Sequence, residues 1–220
     1  MTGNGPTTPA HDLLQGWPLL RNLQGEGAWP LLVVVHGHSG GVVPELISRW
    51  LAPLAELRGA PVWVQALTAE PLPLPAGERL LVVPLLLTPG SHARFDLPAI
   101  RERLRAAGHP VVLLPFLGAW PLWLEHLGQL SAAEPHQVLL HHPLHPGVAD
   151  RYLVALERRL GLPLSSEIPA GSSGEAGLLP LALAPNRMTA QLEDAGVPAP
   201  ALLERPATRD LVFTVLRNLP

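Results

Sequence analysis

The chain contains no cysteine in its 220 residues. Disulfides, thiolate nucleophiles and thiolate metal sites are therefore excluded, and any metal must be held by His, Asp, Glu or backbone oxygen. Charge is sparse as well. Charged residues make up 15% of the sequence and the formal net charge is -3, which provides neither the basic face that nucleic acid requires nor a polyelectrolyte tail. The longest apolar run, Leu80 to Leu87, falls far short of the roughly 20 residues of a membrane span. The opening "MTGNGPTTPAHDLLQGW" lacks the basic start and apolar core of a secretory signal. These absences predict a soluble, cytoplasmic protein with no nucleic-acid or membrane partner. Monomer and homodimer are both left open by the sequence.

What is present is apolar and segmented. A hydrophobic fraction of 47% is ample for a buried core. The 27 prolines and 20 glycines punctuate apolar runs without a fixed period, so the loops should be frequent and stiff. Residues 1–29 read as a polar Gly/Pro-rich extension. Leu31–Val35 ("LLVVV") has the signature of a strand buried on both faces. Pro44 to Leu57 follows with Leu46, Ile47, Trp50, Leu51, Leu54 and Leu57 at helical spacing, Pro44 in the first turn and Gly59 at the end. Pro61–Leu67, Leu80–Leu87 and His109–Leu117 read as further strands, with a bulge or kink expected at Pro84. Leu97, Ile100 and Leu104 mark a helix between the last two strands, stopped by Gly108. This βαββαβ order implies a mostly parallel α/β sheet.

The pattern then starts again. "QVLLHHPLHPGVADRYLVALERRLGLPL" imitates the stretch from Leu31, and "GLLPLALAPNRMTAQLEDAGVPAPALL" imitates the stretch from Leu80. Two α/β lobes are expected, an N-terminal one over 30–130 carrying the site and a degenerate repeat over 136–220, with a cleft between them. Ligands of such sheets sit beyond the carboxyl ends of the strands, where histidine-bearing turns occur in both halves.

The residues that carry chemistry follow those strands. "HGHSGG", with His36, His38 and Ser39, ends the first strand, and "TPGSHARFD", with Gly90, Ser91, His92 and Arg94, ends the third. The first turn lacks the Lys-Ser/Thr of a phosphate loop and the GxGxxG spacing, and its likeness to a lipase loop is taken as superficial, on the reading that the chain has no GxSxG pentapeptide. His36 and His92 occupy equivalent places on strands that should be neighbours. Two neutral imidazoles there can coordinate a borderline divalent ion such as Fe²⁺, Co²⁺ or Ni²⁺, and either can accept a proton near neutral pH. Trp120 and Trp123 are read as core, and Arg101, Arg103 and Arg105 as a solvated helix face.

"VVVHGHSGG" together with "VVPLLLTPGSHARFDLP" resembles the two signature stretches of the CbiX-type sirohydrochlorin chelatases, class II enzymes that insert cobalt or iron into a tetrapyrrole without ATP. The likeness covers about residues 30–217, in the two-lobed long form. It implies that His36 and His92 are the catalytic pair, presenting the metal to the macrocycle and taking up its two pyrrole protons. His38 stands where the family usually has serine. Leu67 stands at the position of a family glutamate, and Glu70, the next acid, is the candidate third metal ligand. The resemblance also implies substrate contacts from His38, Ser39, Gly90, Ser91 and Arg94, the last toward a substrate carboxylate. In the second half His141, His142 and His145 match His36 in position, and Arg187 or Met188 replaces His92. That half is expected to act as a wall and lid. The function expected is insertion of Co²⁺ or Fe²⁺ into sirohydrochlorin or a related tetrapyrrole, in cobalamin or siroheme biosynthesis. The alternative is a non-catalytic metal- or tetrapyrrole-binding protein of the same descent.

Overall fold

The computed structural model describes residues 27–38, 40–133, 138–169, 177–197 and 199–220. The extension expected over 1–29 lies almost wholly outside them. Two parallel sheets form. The first has the order β2-β1-β3-β4, with β1 Leu31–Val35, β2 Val62–Ala66, β3 Leu80–Pro84 and β4 Val111–Leu113. The second has the order β6-β5-β7, with β5 Val138–Leu140, β6 Leu164–Ser165 and β7 Leu178–Pro180. All pairings are parallel. β1 and β3 are the two central strands of their sheet and are buried along their whole length, which accounts for their unbroken apolar sequences.

Two expectations are corrected. The helix expected from Pro44 to Leu57 is two helices, α1 Glu45–Leu51 and α2 Leu54–Arg58. Pro53 separates them, because a proline inside a helix has no N–H to donate and its ring clashes with the preceding turn. Pro44 is the cap that precedes α1 rather than its first residue. The second correction concerns Pro84, which neither bulges nor kinks the strand but ends it, opposite Val34. Leu81 and Leu85 donate to β1, through Pro30 O and Val34 O, while Leu80 donates toward β4 at Pro110 O. By alternation the missing N–H of Pro84 faces the β4 side, where β4 has already stopped at Leu113, so no ladder bond is lost.

The second half repeats the first closely enough to align by hydrogen bonds. Leu85 N donates to Val34 O and Leu181 N to Leu140 O; Gly118 N donates to Leu86 O and Leu202 N to Ala182 O. Pro84 thus corresponds to Pro180, Val34 to Leu140, and His36 to His142. The remaining helices are α3 Leu97–Ala106, α4 Pro121–Ala133, α5 Asp150–Leu160, α6 Arg187–Asp194 and α7 Pro206–Asn218. α3 covers one face of the first sheet through Leu97, Ile100 and Leu104, and α6 covers one face of the second through Met188 and Leu192.

The last helix of each half packs on the other half. α4, from the first half, packs against α5, and α7, from the second, packs against α2. His126 of α4 meets Thr208 of α7 at 2.7 Å, and Trp50 of α1 meets Phe213 of α7 with ring centroids 6.1 Å apart. Arg58 of α2 is buried and donates to the carbonyls of Leu216, Leu219 and Pro220 at 2.7–2.8 Å. One continuous core therefore runs from Val33 and Leu81 of the first sheet to Leu139 and Leu179 of the second. Trp120 and Trp123 are buried in it, as read from the sequence. Among the described residues no helix is long and apolar enough to cross a membrane.

Candidate functional site

The carboxyl ends of β1, β3, β5 and β7 open onto one cavity of about 650 Å³, lined from both halves. Its first wall is built by the turns after β1 and β3. Gly37 makes the first turn with φ +75°, and a Cβ there would lie 2.5 Å from Ala66 Cβ, so the chain can fold back against the end of β2 only with glycine at this position. His38 N then donates to Val42 O at 2.7 Å, closing the loop ahead of α1. After β3, a π-helical turn over His92–Asp96 leads directly into α3.

These turns bring His36 and His92 together. Their ring centroids are 4.8 Å apart and the rings nearly perpendicular, at 86°. His36 Nδ1 lies 3.1 Å from Gly37 O, and His92 Nδ1 lies 2.5 Å from Asp96 Oδ2. A carbonyl and a carboxylate can only accept, so each Nδ1 carries the proton and each Nε2 is left with its lone pair. Both imidazoles are thereby set in the tautomer that binds a metal or takes up a proton through Nε2.

The other expected residues divide. Gly90 and Ser91 line the same cavity, and Gly90 O accepts from Ala93 N and Arg94 N to start the π-helical turn. His38 also lines it. Ser39 lies outside the described residues. Glu70 lines a smaller adjoining hollow with Thr68, His36 and His38, and not the main cavity. Among the described residues, no three His, Asp or Glu side chains group closely enough to hold an ion. His36 and His92 thus stand together on the cavity wall, with Glu70 to one side. Arg94 is exposed and absent from the cavity wall, its guanidinium 5.8 Å from the Phe95 ring centroid.

The lipase likeness needs a correction. Gly37-His38-Ser39-Gly40-Gly41 does have the letters of a GxSxG pentapeptide. A nucleophile elbow, however, joins strand to helix in one tight turn at the serine. Here β1 ends four residues before Ser39 and α1 begins six residues after it, with the His38–Val42 bridge between.

The opposite wall comes from the second half and holds His142, His145, Asn186 and Arg187. Of the histidines expected there, His141 is turned inward, buried, with Nδ1 donating to His142 O at 2.7 Å. His142 is the one that faces His36. Asn186 Oδ1 accepts from Met188 N and Thr189 N, so its amide nitrogen is the atom 3.2 Å from His142 Nε2 and donates to it. Burial, followed by the charges of His36, His141 and Arg187, holds the His142 imidazole below the usual histidine range. Sequence alone did not separate His142 from His141. The hydrogen-bond alignment of the two sheets does.

No protein-family model matches the chain, and no curated protein matches its sequence. Solved structures do match. Sirohydrochlorin chelatase SirB from Bacillus subtilis subspecies spizizenii, in complex with cobalt, superposes with a TM-score of 0.57 at 17% identity, covering 87% of this chain and 93% of that one. CbiX, the terminal enzyme for biosynthesis of siroheme in denitrifying bacteria, gives a TM-score of 0.51 at 21% identity, covering 86% and 98%. Both superpositions span most of each chain: this chain has the fold of these sirohydrochlorin chelatases.

Proposed function

We propose that the protein is a member of the sirohydrochlorin chelatase family and inserts a divalent metal, Co²⁺ or Fe²⁺, into sirohydrochlorin without ATP. The observation that carries this reading is the His36–His92 pair, two imidazoles with ring centroids 4.8 Å apart in the wall of a cavity of about 650 Å³. In the reaction M²⁺ enters the ring and two pyrrole N–H protons leave. Two nitrogen bases at one face suit both halves of that exchange. They hold the ion through Nε2, and with few ligands they leave coordination positions open for the pyrrole nitrogens. Once the metal has moved on, the same lone pairs accept the released protons. Asp96 keeps His92 in the required tautomer and stabilises its protonated form. Glu70, in the adjoining hollow beside His36, is proposed as a further ligand on the path by which the ion arrives.

The test is the absorbance change on adding Co²⁺ or Fe²⁺ to sirohydrochlorin, with wild type, His36→Ala and His92→Ala. The wild type should exceed the uncatalysed rate and each variant should fall to it. A wild type no faster than the control, yet binding metal or tetrapyrrole, would establish the non-catalytic binding protein instead.

A further inference from the structure

The second half is not simply a worn copy of the first. At the position of His36 it keeps a histidine, His142, but at the positions of Gly90, Ser91 and His92 it has Asn186, Arg187 and Met188. With Met188 at the position of His92, and with Nε2 occupied by the Asn186 amide, His142 is not set up as a metal ligand. Its remaining polar atom is Nδ1–H, a donor. Arg187 follows Asn186 directly, lines the cavity, and is exposed. It forms no ion pair among the described residues.

The charge of the cavity points the same way. Its titratable lining consists of His36, His38, His92, His142, His145 and Arg187, with no carboxylate among the described residues. Among the described residues Arg187 is thus the one permanent charge on the wall, placed opposite the imidazole pair, with no acid beside it in the lining. A guanidinium in that setting binds a carboxylate through two parallel hydrogen bonds.

We infer that Arg187, with His142 beside it, anchors a carboxylate side chain of the macrocycle from the second half, holding the ring with its centre toward His36 and His92. This deepens the chelatase reading and rests on it for the identity of the ligand. The half that lost its metal-handling pair has become the half that recognises an anion. Arg94, the cation that sequence placed in this role, is on the outside of the π-helical turn and is not part of the anchor.

The experiment measures two quantities separately for wild type, Arg187→Ala and Arg187→Lys: binding of metal-free sirohydrochlorin by fluorescence quenching, and metal insertion by absorbance. For Arg187→Ala, Kd and KM should rise about tenfold, the loss typical of one charged hydrogen-bonded contact, with kcat within about twofold. Arg187→Lys should recover part of the loss, since it restores the charge without the paired geometry. Added salt should weaken wild-type binding more than that of Arg187→Ala. Unchanged Kd and KM in Arg187→Ala, with an active wild type, would overturn the anchor and leave the chelatase reading intact. Binding that depends on Arg187 without any insertion would keep the anchor and overturn the chelatase reading. A wild type that does not bind sirohydrochlorin would end both.

Discussion

Asp96 holds the imidazole of His92 across a single π-helical turn, Oδ2 to Nδ1 at 2.5 Å. Both side chains are partly open to solvent, so the contact contributes little to stability and its effect falls on the orientation of the ring. Asp96→Ala should lower kcat for metal insertion by about 10- to 100-fold, the range seen when a ligand histidine loses its supporting carboxylate. The fold, read by circular dichroism, should be unaffected. Full activity in this variant would remove Asp96 from the mechanism.

Tyr152 carries a tie between the halves. Its hydroxyl, on α5, lies 3.0 Å from both Leu87 O and Gly118 O in the first half, and burial pushes its pKa up, keeping the proton available for donation. Tyr152→Phe should lower stability by about 1–2 kcal/mol, read from the urea midpoint. Gly118→Ala should do more damage, because a Cβ there would stand 2.0 Å from Leu87 O and 2.8 Å from the Tyr152 hydroxyl.

His126 makes stability depend on pH. Burial and then the charge of Arg205 hold its pKa below the ordinary 6.5. The unfolded chain therefore takes up this proton more readily than the folded one. The contribution of His126 is fully present above about pH 6.5 and is lost as pH falls from there toward the folded-state value. His142, whose pKa is also lowered, acts in the same direction. His126→Gln, which retains a hydrogen-bonding group toward Thr208, should flatten the fall of Tm on going from about pH 7 to about pH 5. An identical slope in wild type and variant would show that another group governs the acid limb.

Arg58 fastens the carboxyl-terminal segment. Besides its bonds to α7 and the residues beyond it, it donates to Trp29 O at 2.8 Å, just ahead of β1. Burial lowers its pKa to about 10, so it stays charged at neutral pH. Arg58→Met should destabilise the protein by about 2–4 kcal/mol by leaving these buried carbonyls unpaired, and proteolysis should then reach the C-terminal residues first.

How much of this was legible in the sequence follows from which forces act locally. β1 could be read to the residue, because a strand buried on both faces has nothing but apolar side chains and its neighbours end it abruptly. The meeting of His36 and His92 was legible too, since both follow adjacent strands of one parallel sheet. The break at Pro53 was also in the sequence, where a proline interrupts the apolar helical spacing. Other features depend on contacts between distant residues. Which of His141 and His142 enters the cavity is settled by sheet register, where a shift of one position sends a side chain to the other face. Arg94 and Arg187 look alike as cations near a turn. The π-helical winding of His92–Asp96 turns the first outward, while the wall of the second sheet brings the other to the cavity.

The crossed placement of α4 and α7 gives a physical reason for the chain to keep a half that no longer has the full histidine pair. A helix of each segment packs on a helix of the other, so deleting residues 138–220 would expose the apolar flank of α4 and the surface of α2 that α7 protects. A stand-alone first segment would keep both imidazoles and still be prone to aggregate, whereas the two segments expressed as separate polypeptides have complementary surfaces on which to reassemble.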